Sequence, residues 1–351
     1  MKNTLYFLVP GDIRTHSGGY AYNRRIIKRL IENNVQVILI ELSALFPFPD
    51  RAAMADADAK LTGIPAHEIV LVDGLALGAM PQLAQKHAAR LYLLALCHHP
   101  LAMETGLSSD QVDYFQRAEQ QALFAARSVL VTSNTTANYL TQFYAVPNSK
   151  IKIALPGTQP HGFAARRGAP PILLTVASVI PRKGHDLLLQ ALERIEDIAW
   201  RARWVGNTQL NPGWSAWIHQ QLNVSKVADR IAWLEDIVDT TEEYLAADFF
   251  VLPSAYEGYG MAFAEALSSG LPIIAFETGA QAQWLPQQTC LLVPPGDVNA
   301  LAEALRVLLL NSPRSEDMAA AARIAAQSLP SWENAAEIVH MWLNEFFSLP
   351  K

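Results

Sequence analysis

Between residues 254 and 273 the chain reads SAYEGYGMAFAEALSSGLPI, with two carboxylates, Glu257 and Glu265, around a glycine loop. An unpaired charge in an apolar setting is costly, so each acid calls for a partner, either a protein group or a ligand. A carboxylate accepts hydrogen bonds at both oxygens and suits the paired hydroxyls of a sugar. Gly258 and Gly260 let the backbone pass close to a ligand. A helix starting near Met261 offers free N–H groups to an anion. The stretch Gly258, Tyr259, Gly260, Met261 and Ala262 therefore suits phosphate. The flanking glutamates suit two polyols, one a donor sugar and the other a ribose. Together they outline a nucleotide sugar. Taken singly, an acid in the first turns of a helix is also explained by the helix dipole.

Three further junctions carry chemistry-bearing residues. In ASVIPRKGHDLLLQAL (177–192), Arg182 and Lys183 sit beside Gly184 and a helix start, with Asp186 expected as N-cap. Two cations at a helix N-terminus suit a diphosphate, the alternative being two solvated cations in a loop. In SGGYAYNRR (17–25), Gly18 and Gly19 precede a helix whose Arg24, Arg25, Lys28 and Arg29 form a basic face. That face reads as solvated surface, with a phosphate or lipid-surface contact as the alternative. The dinucleotide fingerprint G-x-G-x-x-G is missing, so Glu41 at the end of the second strand does not read as the ribose acid of a dehydrogenase. In ALCHHPLAMETG (95–106), His98 and His99 follow a strand. Neighbouring side chains on extended backbone point opposite ways, so one faces a cleft and the other the interior. No H-e-x-x-H or paired C-x-x-C arrangement suggests zinc. The one Asp-x-Asp, Asp56-Ala57-Asp58, lies in a helix-like stretch and reads as solvated surface.

Strand-like and helix-like runs alternate along the chain. TLYFLV (4–9), VQVILIEL (35–42), EIVLV (68–72), RLYLLAL (90–96), SVLVTS (128–133) and KIALP (152–156) read as strands. Ile26, Ile27, Leu30 and Ile31 give a helix over 22–33 one apolar side. The pattern stops in GTQPHGFAARRGAPP (157–171), a linker rich in Gly, Pro and Arg. It restarts with PILLTVA (171–177), a helix from about 186, WRARWVG (200–206), RIAWL (230–234), DFFVLP (248–253) and LPIIAF (271–276). Apolar strands alternating with amphipathic helices are the signature of parallel sheets. The expectation is two doubly wound α/β domains, 1–165 and 166–330, with a terminal helix, 331–351, returning to the first. Ligands should then lie in a central cleft, at the carboxyl ends of the strands.

At 351 residues, 51% hydrophobic and 17% charged, the chain has the apolar content for two cores. The net charge of −6 argues against nucleic acid as a partner. Up to Lys152 there are 14 basic against 12 acidic residues; beyond it there are 13 against 21. Cys97 and Cys290 lie in apolar runs and read as buried free thiols of a reducing compartment. No leader-like h-region and no stretch of the length of a membrane span is visible. The expected location is cytoplasmic, with the basic first helix allowing peripheral contact at the inner face of the membrane.

The segment AADFFVLPSAYEGYGMAFAEALSSGLPIIA resembles the signature of retaining glycosyltransferases of the GT-B fold, in particular glycosyltransferase family 4. That family carries Glu, seven residues and Glu at this junction. PRKG (181–184), VPPGD (293–297), SGGYAYNRR, VTSNTTANYL (131–140) and LPGT (155–158) resemble its other motifs, so the resemblance covers almost the whole chain. It implies that Glu265 holds the nucleotide ribose and Glu257 the donor sugar. Lys183, with Arg182 and the backbone of Gly258 to Ala262, would clamp the diphosphate. Ile237 and Val238 would line the base pocket. His98, in preference to His99, would be the histidine near the transferred sugar. Two positions depart from the family: Ser178 stands where an Arg is common, and FETGAQAQW (276–284) lacks an acid after its glycine.

The activity implied is transfer of a sugar, with retention, from a nucleoside diphosphate sugar to a hydroxyl. The acceptor would be a glycan or a lipid-linked molecule, bound by the first domain, in cell-surface polysaccharide or glycoconjugate synthesis. No metal and no cofactor are expected, since cations and helix N-termini would stabilise the leaving diphosphate. A same-face, dissociative course is favoured over double displacement. The competing readings are a nucleotide-sugar epimerase, a phosphorylase on the same fold, a non-catalytic nucleotide-sugar-binding subunit and, more distantly, a nicotinamide dehydrogenase.

Overall fold

The computed structural model describes residues 3–235 and 237–349. The chain divides into two compact units. One comprises residues 3–15, 19–157 and 330–349; the other comprises His16–Gly18 and Thr158–Leu329.

The first unit is built on six parallel strands: β1 (Thr4–Pro10), β2 (Gln36–Leu42), β3 (Ile69–Asp73), β4 (Tyr92–Cys97), β5 (Ser128–Val131) and β6 (Ile151–Ile153). Their order across the sheet is β2-β1-β3-β4-β5-β6. The sequences IVLVD and YLLALC are buried at every position, as strands covered on both faces must be. The helix Gly18–Glu32 begins four residues before the expected start and buries Tyr22, Asn23, Ile26 and Leu30. Ile31, expected on its apolar side, is 54% exposed, because β2 is the sheet edge and gives that side little cover.

The helix Trp332–Phe347 completes this unit. It buries Trp332, Val339, Trp342 and Leu343, and Trp342 Nε1 donates to Ser128 Oγ at 3.0 Å. A Cβ at Gly157 would lie 2.2 Å from Trp332 N, so only glycine admits the helix start there.

The second unit repeats the plan with β7 (Ile172–Val176), β8 (Arg201–Gly206), β9 (Ile231–Glu235), β10 (Phe249–Leu252), β11 (Ile273–Phe276) and β12 (Cys290–Val293), ordered β12-β11-β10-β7-β8-β9 and all parallel. β12 is absent from the strands read in the sequence. Residues 158–165, assigned there to the first domain, pack here: Ala164 N donates to Ser269 O at 2.8 Å, and Arg323 lies over the Phe163 ring.

Both cysteines are buried and free. Among the described residues no helix is long and apolar enough to cross a membrane.

In each sheet the winding direction reverses once, between β1 and β3 and between β7 and β10. Such switch points leave a crevice beyond the carboxyl ends of the two strands, where ligands of open α/β sheets bind. The glycine pair follows β1 at the first of these places, and Lys183 follows β7 and Glu257 follows β10 at the second.

Candidate functional site

At the second unit's switch point, the loop after β7 carries PRKG and the loop after β10 carries SAYEGYG. The two loops are stitched together. Ala255 N donates to Arg182 O at 2.8 Å, and Arg182 Nη1 donates to Tyr256 O at 2.6 Å. Pro181–Lys183 form a single 3-10 turn, ended by Gly184 at φ +69°. A Cβ at Gly184 would lie 2.3 Å from Pro253 O. Gly184 is also the N-cap of the following helix, His185–Glu193, so Asp186 sits in the first turn rather than at the cap. Glycine holds the cap because only it can both turn left-handed and clear Pro253.

Glu257 has a protein partner. Lys183 Nζ donates to its Oε1 at 2.5 Å, and Arg182 Nη1 lies 3.8 Å from Oε2. The carboxylate is buried. Burial pushes its pKa up; the charges of Lys183 and Arg182, with the hydrogen bond from Lys183, outweigh that and hold it below the usual range. It is therefore a fixed anion beside two cations. The loop 276–284 buttresses it. Ala280 N donates to Glu257 O at 2.9 Å, Thr278 Oγ1 donates to Ala255 O at 2.9 Å, and a Cβ at Gly279 would lie 2.6 Å from Glu257 N. In the sequence only the missing acid of that loop stands out; its structural part is the glycine.

Beyond Glu257, the Tyr259 ring stacks on Trp284 at 5.2 Å, and Trp284 Nε1 donates to Tyr259 O. Gly260, at φ +88°, caps the helix Met261–Ser268. Glu265 Oε2 accepts from the Tyr244 hydroxyl at 3.0 Å. Burial, and then the Glu265 charge, push the Tyr244 pKa far up, so that hydroxyl stays a donor. Ile237 is half-buried against the core under this helix, whereas Val238 is 85% exposed. His185, which nothing in the sequence marks out, is buried one residue beyond PRKG. Burial first, and the Lys183 charge second, lower its pKa to about 3, so it is neutral.

At the first unit's switch point, Gly18 and Gly19 open the helix Gly18–Glu32. A Cβ at Gly19 would meet His98 Cδ2 at 3.3 Å. His98 Nε2 lies 3.1 Å from Asn23 Oδ1, and Asn23 Nδ2 donates to Asp73 Oδ2 at 2.8 Å. His99 is paired with Glu104. Asn23 and Asp73 were not singled out in the sequence, since an Asn in a helix and an Asp ending a strand are common.

The basic face of the first helix is largely engaged within its own unit. Arg24 donates to Ile13 O and Thr15 O, Arg25 lies over Trp332, and Arg29 pairs with Glu32 and Glu333. Glu41 Oε1 accepts from Ile13 N at 3.2 Å. Asp56 pairs with Lys60, but Asp58 is more than solvated surface: it pairs with Lys86 and with the buried His87 at 2.8 Å. Among the described residues no group of three or more His, Cys, Asp or Glu is placed to hold a metal.

Residues 170–311 match the family model described as glycosyl transferases group 1. The chain is 26% identical over 212 residues to the lipopolysaccharide core biosynthesis mannosyltransferase LpsB of Rhizobium meliloti (strain 1021). That match covers 53% of this chain and 56% of LpsB, so it spans little more than half of the relative. Among solved structures the chain is similar to sucrose-phosphate synthase from Thermosynechococcus elongatus, with a TM-score of 0.81 at 21% identity, covering 99% of this chain and 100% of that one. It is also similar to Anabaena HepE in complex with UDP and glucose, with a TM-score of 0.76 at 18% identity, covering 99% and 100%. The two Rossmann-like, doubly wound lobes of the GT-B kind expected from the sequence are the fold the chain has.

Proposed function

We propose that the chain is a retaining glycosyltransferase that moves a sugar from a nucleoside diphosphate sugar to a hydroxyl of a glycan or lipid-linked acceptor in glycoconjugate synthesis. The observation that carries this reading is the nested pair of loops at the second unit's switch point. PRKG and SAYEGYG hold Lys183, Arg182 and Glu257 in one buried charge cluster, beside a glycine-capped helix N-terminus. The family match over 170–311 falls on this unit. The HepE structure holds UDP and glucose, which supports a nucleotide sugar as donor; LpsB is named a mannosyltransferase, which supports glycosyl transfer.

In this reading the difficulty of the reaction is negative charge gathering on the departing diphosphate. Lys183 and the N–H groups from Gly258 to Ala262 stabilise it, and Arg182 keeps the loop in place through Tyr256 O. These groups are preset, so little reorganisation is needed when the bond breaks. Lys183 is already bonded to Glu257, and sharing it with a phosphate couples the phosphate and the sugar ends of the donor. Glu257 keeps acceptor capacity for sugar hydroxyls. Glu265, oriented by the Tyr244 hydroxyl, accepts the ribose hydroxyls. The first unit takes the acceptor.

The test is a thermal-shift panel of UDP, GDP, ADP, their sugars and NAD, with Glu265→Ala beside wild type. A ligand bound only by the native state raises the melting temperature, by an amount set by its concentration over Kd. One nucleoside diphosphate is expected to stabilise wild type, with the response lost in the variant. A shift with NAD alone, or with none, overturns the reading. The anomeric configuration of the product, read by NMR, decides retention.

A further inference from the structure

We propose that Asp73 is a positioning residue: through the Asn23 amide it sets the tautomer of His98, leaving His98 Nδ1 as the hydrogen-bond acceptor for a substrate hydroxyl. The hydroxyl part of this rests on the glycosyltransferase reading above; the tautomer part does not.

A chain of donors and acceptors links the three side chains. Asp73 ends β3 at the switch point and is 3% exposed; Asn23 is 0% exposed. Asp73 Oδ1 accepts from Leu75 N at 3.0 Å, and Oδ2 accepts from Asn23 Nδ2 at 2.8 Å. An ionised carboxylate can only accept. The Asn23 amide must therefore turn its NH2 group to Asp73, which leaves its oxygen toward His98. An amide oxygen also only accepts, so His98 Nε2, 3.1 Å away, must carry the proton. In the neutral form of the ring, that leaves the lone pair on Nδ1. Asp73 Oδ2 itself is 3.6 Å from His98 Nε2, too far for a direct hydrogen bond, so the amide is the link.

The surroundings fix each member. Gly19 leaves room for the His98 ring and nothing more. Tyr22 meets the ring edge-on at 5.4 Å, and its hydroxyl is anchored on Ala154 O at 3.1 Å. Thr132 Oγ1 donates to the His98 carbonyl at 3.2 Å. The chain also needs Asp73 to stay ionised, because a protonated acid could donate and release the amide. Burial alone would push its pKa up; the Asn23 amide and the Leu75 N–H both donate to it and favour the ionised form.

The competing account is that Asp73 only caps the short helix Gly74–Leu77 through Leu75 N. Asp73→Asn separates the two. An Asn oxygen keeps the cap, but its NH2 group can face Asn23 and turn that amide around. The experiment is 15N NMR of the full chain with labelled histidine, His98 being assigned by loss of its signal in His98→Asn. Wild type at neutral pH is expected to show a protonated Nε2 and a bare Nδ1. Asp73→Asn should give a mixture of tautomers and lower kcat by roughly 10- to 100-fold, the scale of misplacing a reacting group, with donor KM nearly unchanged. Asn23→Ala should do the same.

A proton on Nδ1 in wild type overturns the proposal. So does an Asp73→Asn that keeps both the wild-type tautomer and the wild-type kcat. If Asp73→Asn does not fold, the wild-type tautomer and Asn23→Ala still decide. If the protein transfers no sugar while the tautomers behave as stated, the functional reading fails and the Asp73–Asn23–His98 linkage stands.

Discussion

The acid that raised the question of a partner, Glu257, is met by Lys183 and Arg182, and the strength of that pairing is measurable. The carboxylate is buried and Lys183 Nζ sits at 2.5 Å, so removing the lysine strands a charge in a low-dielectric setting. Lys183→Met is expected to cost about 3 kcal/mol in urea unfolding, at the low end for a broken buried pair because Arg182 remains at 3.8 Å. Lys183→Met with Glu257→Gln should lose less than the two single losses added, by roughly 1–3 kcal/mol, since the double change removes both charges. Strict additivity would show that the two do not interact in solution. The same Lys183→Met should lower kcat by about 100-fold or more if the lysine also serves the diphosphate. These residues were legible in the sequence because their types are unusual where they stand: two cations and an acid in glycine loops. Asn23, Asp73 and His185 were not legible, because their significance lies only in what the fold brings beside them.

At the scale of elements, the loops matter more than the strands that lead to them, and Gly184 is the joint between two loops. Its φ of +69° is left-handed, and a Cβ would lie 2.3 Å from Pro253 O. Gly184→Ala therefore meets backbone strain and a collision with backbone, which cannot swing aside. The expected loss is more than about 2 kcal/mol in unfolding free energy. Parting the PRKG and SAYEGYG loops should also weaken nucleoside diphosphate binding at least several-fold by calorimetry. A variant with wild-type melting and wild-type affinity would show that the loops are not held together at this residue. Buried parallel strands were readable as runs such as LYFLV, IVLV and FFVL, since both faces are covered. β12 was not, because CLLV follows a Gln-rich turn with no helical pattern to set it off, and its two middle residues are only half-buried. The early start of the first helix, at Gly18, ran against the poor helix propensity of Gly-Gly. The glycine at 279 could not be understood from its own neighbours, since what it clears is the backbone of Glu257.

At the scale of the whole molecule, one buried acid should leave its mark on how stability depends on pH. Glu119, on the helix Ser109–Ala125, accepts at Oε2 from Leu101 N at 2.9 Å and from the Tyr144 hydroxyl at 3.0 Å. Burial raises its pKa to about 8 against an ordinary 4.5, and these hydrogen bonds only partly oppose the rise. The folded chain therefore holds a proton at neutral pH that the unfolded chain releases. Stability from this group is fully present below pH 4.5 and is lost as pH rises through about 8. His185 acts in the opposite sense: its folded pKa of about 3 lies below an ordinary 6.5, so its contribution is present above 6.5 and lost as pH falls. A comparison of wild type with Glu119→Gln removes the His185 effect, because both proteins carry it. Glutamine keeps an oxygen to accept from Leu101 N and has no proton to lose. The stability of Glu119→Gln relative to wild type should thus grow with pH between 4.5 and 8, at up to about 1.4 kcal/mol per pH unit. Urea midpoints at four pH values across that window measure it. Parallel curves would mean that Glu119 is ionised in the fold at neutral pH, in which case Leu101 N and Tyr144 stabilise the carboxylate at least as much as burial destabilises it.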